Sequence, residues 1–166
     1  MRVLSIDPGY ERVGIAVIER VEKSKTGGKK EILIYSNCFK TPAEQDFNQR
    51  LTSIGKEVEN IIQKYKPKVF AIEKLYWGSN QKTAMRVSEV RGMLLFIASS
   101  NDLAIYEYTP LQIKNAVTGD GRGDKKQVIA MLSHLIDIDK IIKYDDEYDA
   151  IAIGLTCFAS ERNMGT

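Results

Sequence analysis

Residues 1–19, MRVLSIDPGYERVGIAVIE, decide the fold. The run 2–7 (RVLSID) is short and apolar and stops at Pro8-Gly9, as a buried strand does when it ends in a turn. Residues 13–19 (VGIAVIE) predict a second strand, and 31–36 (EILIYS) a third. Between the last two lies KSKTGGKK, a lysine-rich stretch from Lys23 to Lys30 centred on Gly27-Gly28, which reads as a hairpin tip. Three antiparallel strands therefore open the chain.

Beyond them the period changes. Phe47, Leu51, Ile54, Val58, Ile61, Ile62 and Tyr65 recur at spacings of three and four, which predicts an amphipathic helix over 43–65 ended by Pro67. Val69-Phe70-Ala71-Ile72-Glu73 is a further short strand. Helical spacing resumes over 80–98 through Ala84, Val87, Val90, Leu94 and Ile97. A strand at 103–108 and a short helix from Pro110 to Val117 follow. After the glycine-rich stretch 118–123, Asp124 is placed to cap a helix running to about Leu135, and 146–160 form a closing helix. The order β-β-β-α-β-α-β-α-α-α predicts an α/β domain: a mixed five-stranded sheet flanked by helices. No repeat or linker divides it, so residues 1–166 read as one domain.

Composition narrows the function classes only a little. With 43% hydrophobic and 28% charged residues, the chain can bury a core and keep a solvated surface. No apolar run approaches the ~20 residues of a membrane helix, and the first strand meets Asp7 too soon for a signal-peptide apolar region. Cys38 and Cys157 suit two reduced thiols in a cytoplasmic protein. The net charge of +2 permits nucleic-acid binding without arguing for it.

The chemistry lies in the carboxylates. Asp7 and Glu73 each close an apolar strand, and ligand sites of open α/β sheets lie at the carboxyl ends of strands. Asp146 and Asp149, three apart, share one face of the closing helix, whose continuation Ala150–Leu155 is almost wholly apolar and must pack on the sheet. Taken singly, Asp7 can merely start a turn and either aspartate can merely cap a helix; Glu73 has no such role. Should the four converge, two carboxylates 4 Å apart repel by roughly 4 kcal/mol at an effective dielectric near 20. Two divalent cations about 3.5–4 Å apart would reverse that sign, an arrangement used in phosphodiester hydrolysis. All-oxygen ligands suit Mg²⁺ or Mn²⁺ over zinc.

The blocks Ile6-Asp7-Pro8-Gly9, Phe70-Ala71-Ile72-Glu73 and Asp146-Glu147-Tyr148-Asp149-Ala150-Ile151-Ala152-Ile153 together resemble the signature of the RuvC family of crossover-junction endodeoxyribonucleases. Asn80–Gly92, ending in Val90-Arg91-Gly92, Glu107-Tyr108-Thr109-Pro110 and Gln112-Ile113-Lys114 extend the likeness, which runs from Met1 to about Ser160. The resemblance implies an RNase H-like fold and a homodimer. It also implies Mg²⁺-dependent, paired symmetric nicking of four-way (Holliday) junctions in recombination and repair, with one or two metal ions left open, and partnership with the RuvA and RuvB branch-migration proteins. Its acidic residues map onto Asp7, Glu73, Asp146 and Asp149. The Lys23–Lys30 stretch is longer than the family's hairpin.

For DNA contact, Tyr76 and Trp77 follow the Glu73 strand closely, and the resemblance puts an aromatic at Tyr76, suited to stacking on an unpaired base. The alternative is that both rings cover the next helix. Lys114, Arg122, Lys125 and Lys126 surround the glycine-rich stretch; Lys114 and Lys125 resemble the family's basic residues near the scissile phosphate, although loop lysines are commonly only solvated. His134 is assigned no chemistry. The helix over 80–98 carries surplus apolar residues, Met85, Met93, Leu95 and Phe96, which fit either a monomer core or a two-fold interface. Three rival readings are a YqgF-type or other RNase H-like nuclease, a non-catalytic junction-binding module, against which the presence of all four acids argues, and an actin-like ATPase or phosphotransferase domain, whose phosphate-binding hairpin Asp7-Pro8-Gly9 with Val13-Gly14 resembles.

Overall fold

The computed structural model describes residues 1–21, 31–75, 81–121 and 123–160. The elements appear in the expected order: β1 (Arg2–Asp7), β2 (Arg12–Arg20), β3 (Glu31–Lys40), α1 (Phe47–Tyr65), β4 (Val69–Glu73), α2 (Gln81–Ser100), β5 (Ala104–Tyr108), α3 (Pro110–Thr118), α4 (Lys125–Leu135) and α5 (Asp145–Ser160). The sheet runs β3-β2-β1-β4-β5, with β1–β2 and β2–β3 antiparallel and β1–β4 and β4–β5 parallel. The hairpin-tip expectation for Lys23–Lys30 falls outside the described residues.

Strand alternation sends successive side chains to opposite faces and so divides the core in two. Leu4, Ile6, Val13, Ile15, Val17, Phe70 and Ile72 pack with α1 and α2. Val3, Ala16, Ile18, Val69 and Ala71 pack with α5 and its covering helices α3 and α4. By the same parity Asp7 and Glu73 point to the α5 face. That face is lined by small residues in register, Ser36, Ala16, Ser5 and Ala71, and α5 settles close against them. Ser5 Oγ donates to the Ala150 carbonyl at 2.7 Å. A Cβ on Gly154 would lie 2.7 Å from Ser5 Oγ and 2.8 Å from Ile18, and one on Gly14 would strike the backbone carbonyl of Asp146. From Ala150 to Phe158 every residue of α5 is buried.

Several boundaries differ from expectation, most of them by one or two residues. Helix α1 begins at Phe47 rather than residue 43: Asp46 is extended, and its side chain and that of Gln49 form a reciprocal capping box. Strand β3 continues to Lys40 because its ladder with β2 persists through Cys38–Gly14 and Lys40–Arg12. Helix α2 reaches Ser100, and α5 starts one residue early, at Asp145. The expected Asp124 cap is present, as a capping box with Gln127. Among the surplus apolar residues of α2, Met93 and Leu95 pack against the α1-side core, while Met85 and Phe96 are 61% and 72% exposed. No helix of the described residues is long and apolar enough to cross a membrane.

Candidate active site

Three parts of the fold meet at one end of the sheet: the carboxyl ends of β1 and β4, and the first turn of α5. Asp7 lies beside Gly14 in the β1–β2 ladder, and the missing side chain at Gly14 lets the Asp146 backbone lie directly on the sheet. Asp146 is then held from below by strand side chains. Arg12 Nε is 3.3 Å from its Oδ2, and the Cys38 thiol donates to the same oxygen at 3.9 Å. One turn on, Asp149 faces α4, where Lys125 Nζ sits 2.9 Å from Asp149 and 3.3 Å from Asp145. Glu73, Lys114, Lys125 and Asp149 line a common cleft whose apolar wall includes Ile113 and Val128.

The electrostatics match this crowding. Asp7 keeps some solvent access but is enclosed by protein. Its pKa is raised well above the usual carboxylate value, first by desolvation and then by Asp149, Glu73 and Asp146; Lys125 partly opposes this. Glu73 is raised by burial and then by Asp149. Burial also raises Asp149, against the lowering effect of Lys125. Burial alone would lower Lys125, but its bonds to Asp149 and Asp145 win and raise it. Four carboxylates thus influence one another through space. Even so, among the described residues no three His, Cys, Asp or Glu side chains are gathered tightly enough to enclose an ion. Arg12 and Lys125 hold two of the four.

Other sequence-derived candidates divide. Lys114 and Lys125 are at the site, while Lys126 is exposed on α4 outside the cleft lining. Tyr76, Trp77 and Arg122 lie outside the described residues. His134 is exposed on α4, away from the carboxylates. Four contributors escaped the sequence reading: Arg12, Cys38, Arg91 and Glu147. Arg91 donates to the Glu73 carbonyl at 3.2 Å and pairs with Glu107. Glu147 is buried between Ser36 Oγ at 2.6 Å and Lys140 Nζ at 2.5 Å, which pins the start of α5 to β3. Only the neighbouring motif letters of Arg91 and Glu147 offered any signal.

The family model of crossover junction endodeoxyribonuclease RuvC matches residues 3–157. The chain belongs to the RuvC family. A RuvC of Halothermothrix orenii is 43% identical, covering 100% of this chain and 99% of its own. One of Caldicellulosiruptor saccharolyticus is 40% identical over 99% and 96%. Among solved structures, T. thermophilus RuvC in complex with a Holliday junction substrate superposes with a TM-score of 0.86 at 26% identity, covering 98% of this chain and 95% of that one. The fold is therefore RNase H-like, as the resemblance implied, and these matches favour neither the YqgF-type nor the actin-like reading.

Proposed function

We propose that the protein resolves four-way DNA junctions by paired symmetric nicks, through metal-assisted hydrolysis of phosphodiester bonds in recombination and repair. The observation that carries this is Asp7, held at a strand end beside the first turn of α5, where burial first and then three other carboxylates raise its pKa. A structural role rarely accounts for such repulsion. Divalent cations do, and the donor set is all oxygen, which suits Mg²⁺ with Mn²⁺ as substitute.

Asp7, Glu73, Asp146 and Asp149 would hold the ions, two in number. Ions held by these carboxylates would supply Lewis-acid chemistry, activating water and stabilising charge on the leaving oxygen. The chain's own residues do the rest. Gly14 and the Ser5–Ala150 bond fix the depth of α5, and so the placing of both aspartates. Arg91 fixes the backbone at Glu73. Lys114 and Lys125 offer positive charge on the β4 side for the phosphate being cut, and Tyr76, Arg122 and Lys126 are assigned DNA contacts by resemblance.

We further place the nuclease in one domain acting as a homodimer through α2, in the cytoplasm, with RuvA and RuvB as partners by family analogy. Incubation with a synthetic four-way junction, with and without Mg²⁺, is the test. Paired nicks that need the metal and spare a linear duplex are expected. Glu73→Gln should bind the junction almost normally and fail to cut it. Uncut junction with the unaltered protein and Mg²⁺ would overturn the assignment.

A further inference from the structure

A second group of charges lies on the other side of Asp7, toward β3. Arg12 and Lys40 are direct cross-strand partners at the ends of β2 and β3. Like charges opposed in that way destabilise a sheet, so stability does not account for the pair. A third cation joins them. The Tyr144 ring, just before α5, has Lys40 Nζ 3.8 Å, Arg12 Cζ 5.6 Å and Lys143 Nζ 5.6 Å from its centroid. Its hydroxyl accepts a bond from Lys40. Among the described residues the only carboxylate in salt-bridge contact with the three is Asp146, on Arg12. Among the described residues Lys40 and Lys143 form no ion pair, and they lie at the same end of the sheet as the carboxylates.

We propose that Arg12, Lys40 and Lys143, spaced around Tyr144, form a phosphate-binding edge for the DNA backbone on the β3 side of the active site, complementing Lys114 and Lys125 on the β4 side. This rests on the nuclease reading. The cleft beside Glu73 receives the strand being cut, and an edge across Asp7 from it meets the continuing backbone of the junction arm. Three converging cations that share one carboxylate fit a polyanion, because each phosphate they neutralise releases condensed counterions. Arg12 can exchange Asp146 for a phosphate, whereas Lys40 and Lys143 have no ion pair with the described residues to give up. The tyrosine ring draws the three mutually repelling heads to one place and holds Lys40 by both its face and its hydroxyl.

The test is the salt dependence of junction binding in EDTA, in an Asp7→Asn background that cannot cut. Each phosphate contact contributes about 0.9 to the slope of log affinity against log salt. Lys40→Ala/Lys143→Ala should lower that slope by about 1–2. The affinity drop between 50 and 200 mM salt should then shrink by up to about tenfold. Lys40→Arg/Lys143→Arg should restore the slope, which separates lost contacts from a folding defect. A control pair of exposed lysines on α1, Lys56→Ala/Lys64→Ala, should leave it unchanged. An unaltered slope in the first double variant overturns the proposal. Equal loss in both alanine pairs also overturns it, since the effect would then be net charge alone. If the Asp7→Asn parent does not prefer a four-way junction to a linear duplex, the nuclease reading fails and this edge fails with it.

Discussion

At the scale of single residues, Asp7 sets the terms. Burial and its acidic neighbours hold its folded pKa well above the ordinary aspartate value. Such a group favours folding fully only below its unfolded pKa, and that contribution is lost as pH rises through the folded one. In metal-free protein at neutral pH Asp7 is therefore a net cost. Asp7→Asn should raise stability in EDTA at pH 8 by about 1–2 kcal/mol, or roughly 2–8 °C in thermal midpoint. The gain should shrink toward pH 4, and Mg²⁺ should stabilise the unaltered protein more than the variant. Equal midpoints at both pH values would refute the crowding argument. Lys125 makes a different prediction. Its ion pairs are half exposed and worth at most about 1 kcal/mol, so Lys125→Met should barely move the midpoint, whereas cleavage under saturating junction and Mg²⁺ should fall by about tenfold or more. The four carboxylates stood out in the sequence because Asp7 and Glu73 each end an apolar run, and Asp149 starts one with Asp146 three residues before it on the same helical face. Arg12 and Cys38 were not, because their meeting with Asp146 depends on which strands are neighbours, and no local pattern records that.

At the scale of elements, the site depends on how deeply α5 sinks into the sheet. Gly14 allows that depth. Gly14→Ala would set a Cβ against the Asp146 carbonyl, and the start of α5 must lift. The expected cost is about 1–3 kcal/mol in urea unfolding, with cleavage lost and junction binding largely kept. Binding and cutting that fell together would point to general misfolding. Element order was readable from the switch between periods of two and 3.6, but the start of α1 and the end of β3 were each missed by four residues. Apolar spacing set the start of α1, where the Asp46–Gln49 capping box governs. β3 outran its apolar run because pairing with β2 carries Asn37–Lys40. The row Ser36, Ala16, Ser5 and Ala71 comes from four separate strands, so it becomes a groove only once the sheet is assembled.

At the scale of the whole molecule, paired nicking requires two active sites held at a fixed separation. One active site meets one strand, and four-way junctions have two strands to cut in symmetric positions. The α2 helix offers the means. Met85 and Phe96 are eleven residues apart, which is close to three full turns, so they share a face, and both are mostly exposed. Isolated exposed apolar side chains are ordinary, but two large ones on one face of a helix suit an isologous contact. Phe96→Asp places a charge at the centre of such a contact, and dimer affinity in sedimentation should fall by about 30-fold or more, the effect of losing roughly 2 kcal/mol at a buried aromatic anchor. The consequence for cutting is specific. On a supercoiled plasmid carrying an extruded cruciform, the first nick releases the torsion that maintains the junction. A dimer already engaged on both strands still delivers the second cut and yields linear product. A monomer leaves a nicked circle. The variant should therefore shift the product from linear to nicked circles, with each carboxylate still in place; linear product from a protein that sediments as a monomer would remove α2 from the argument.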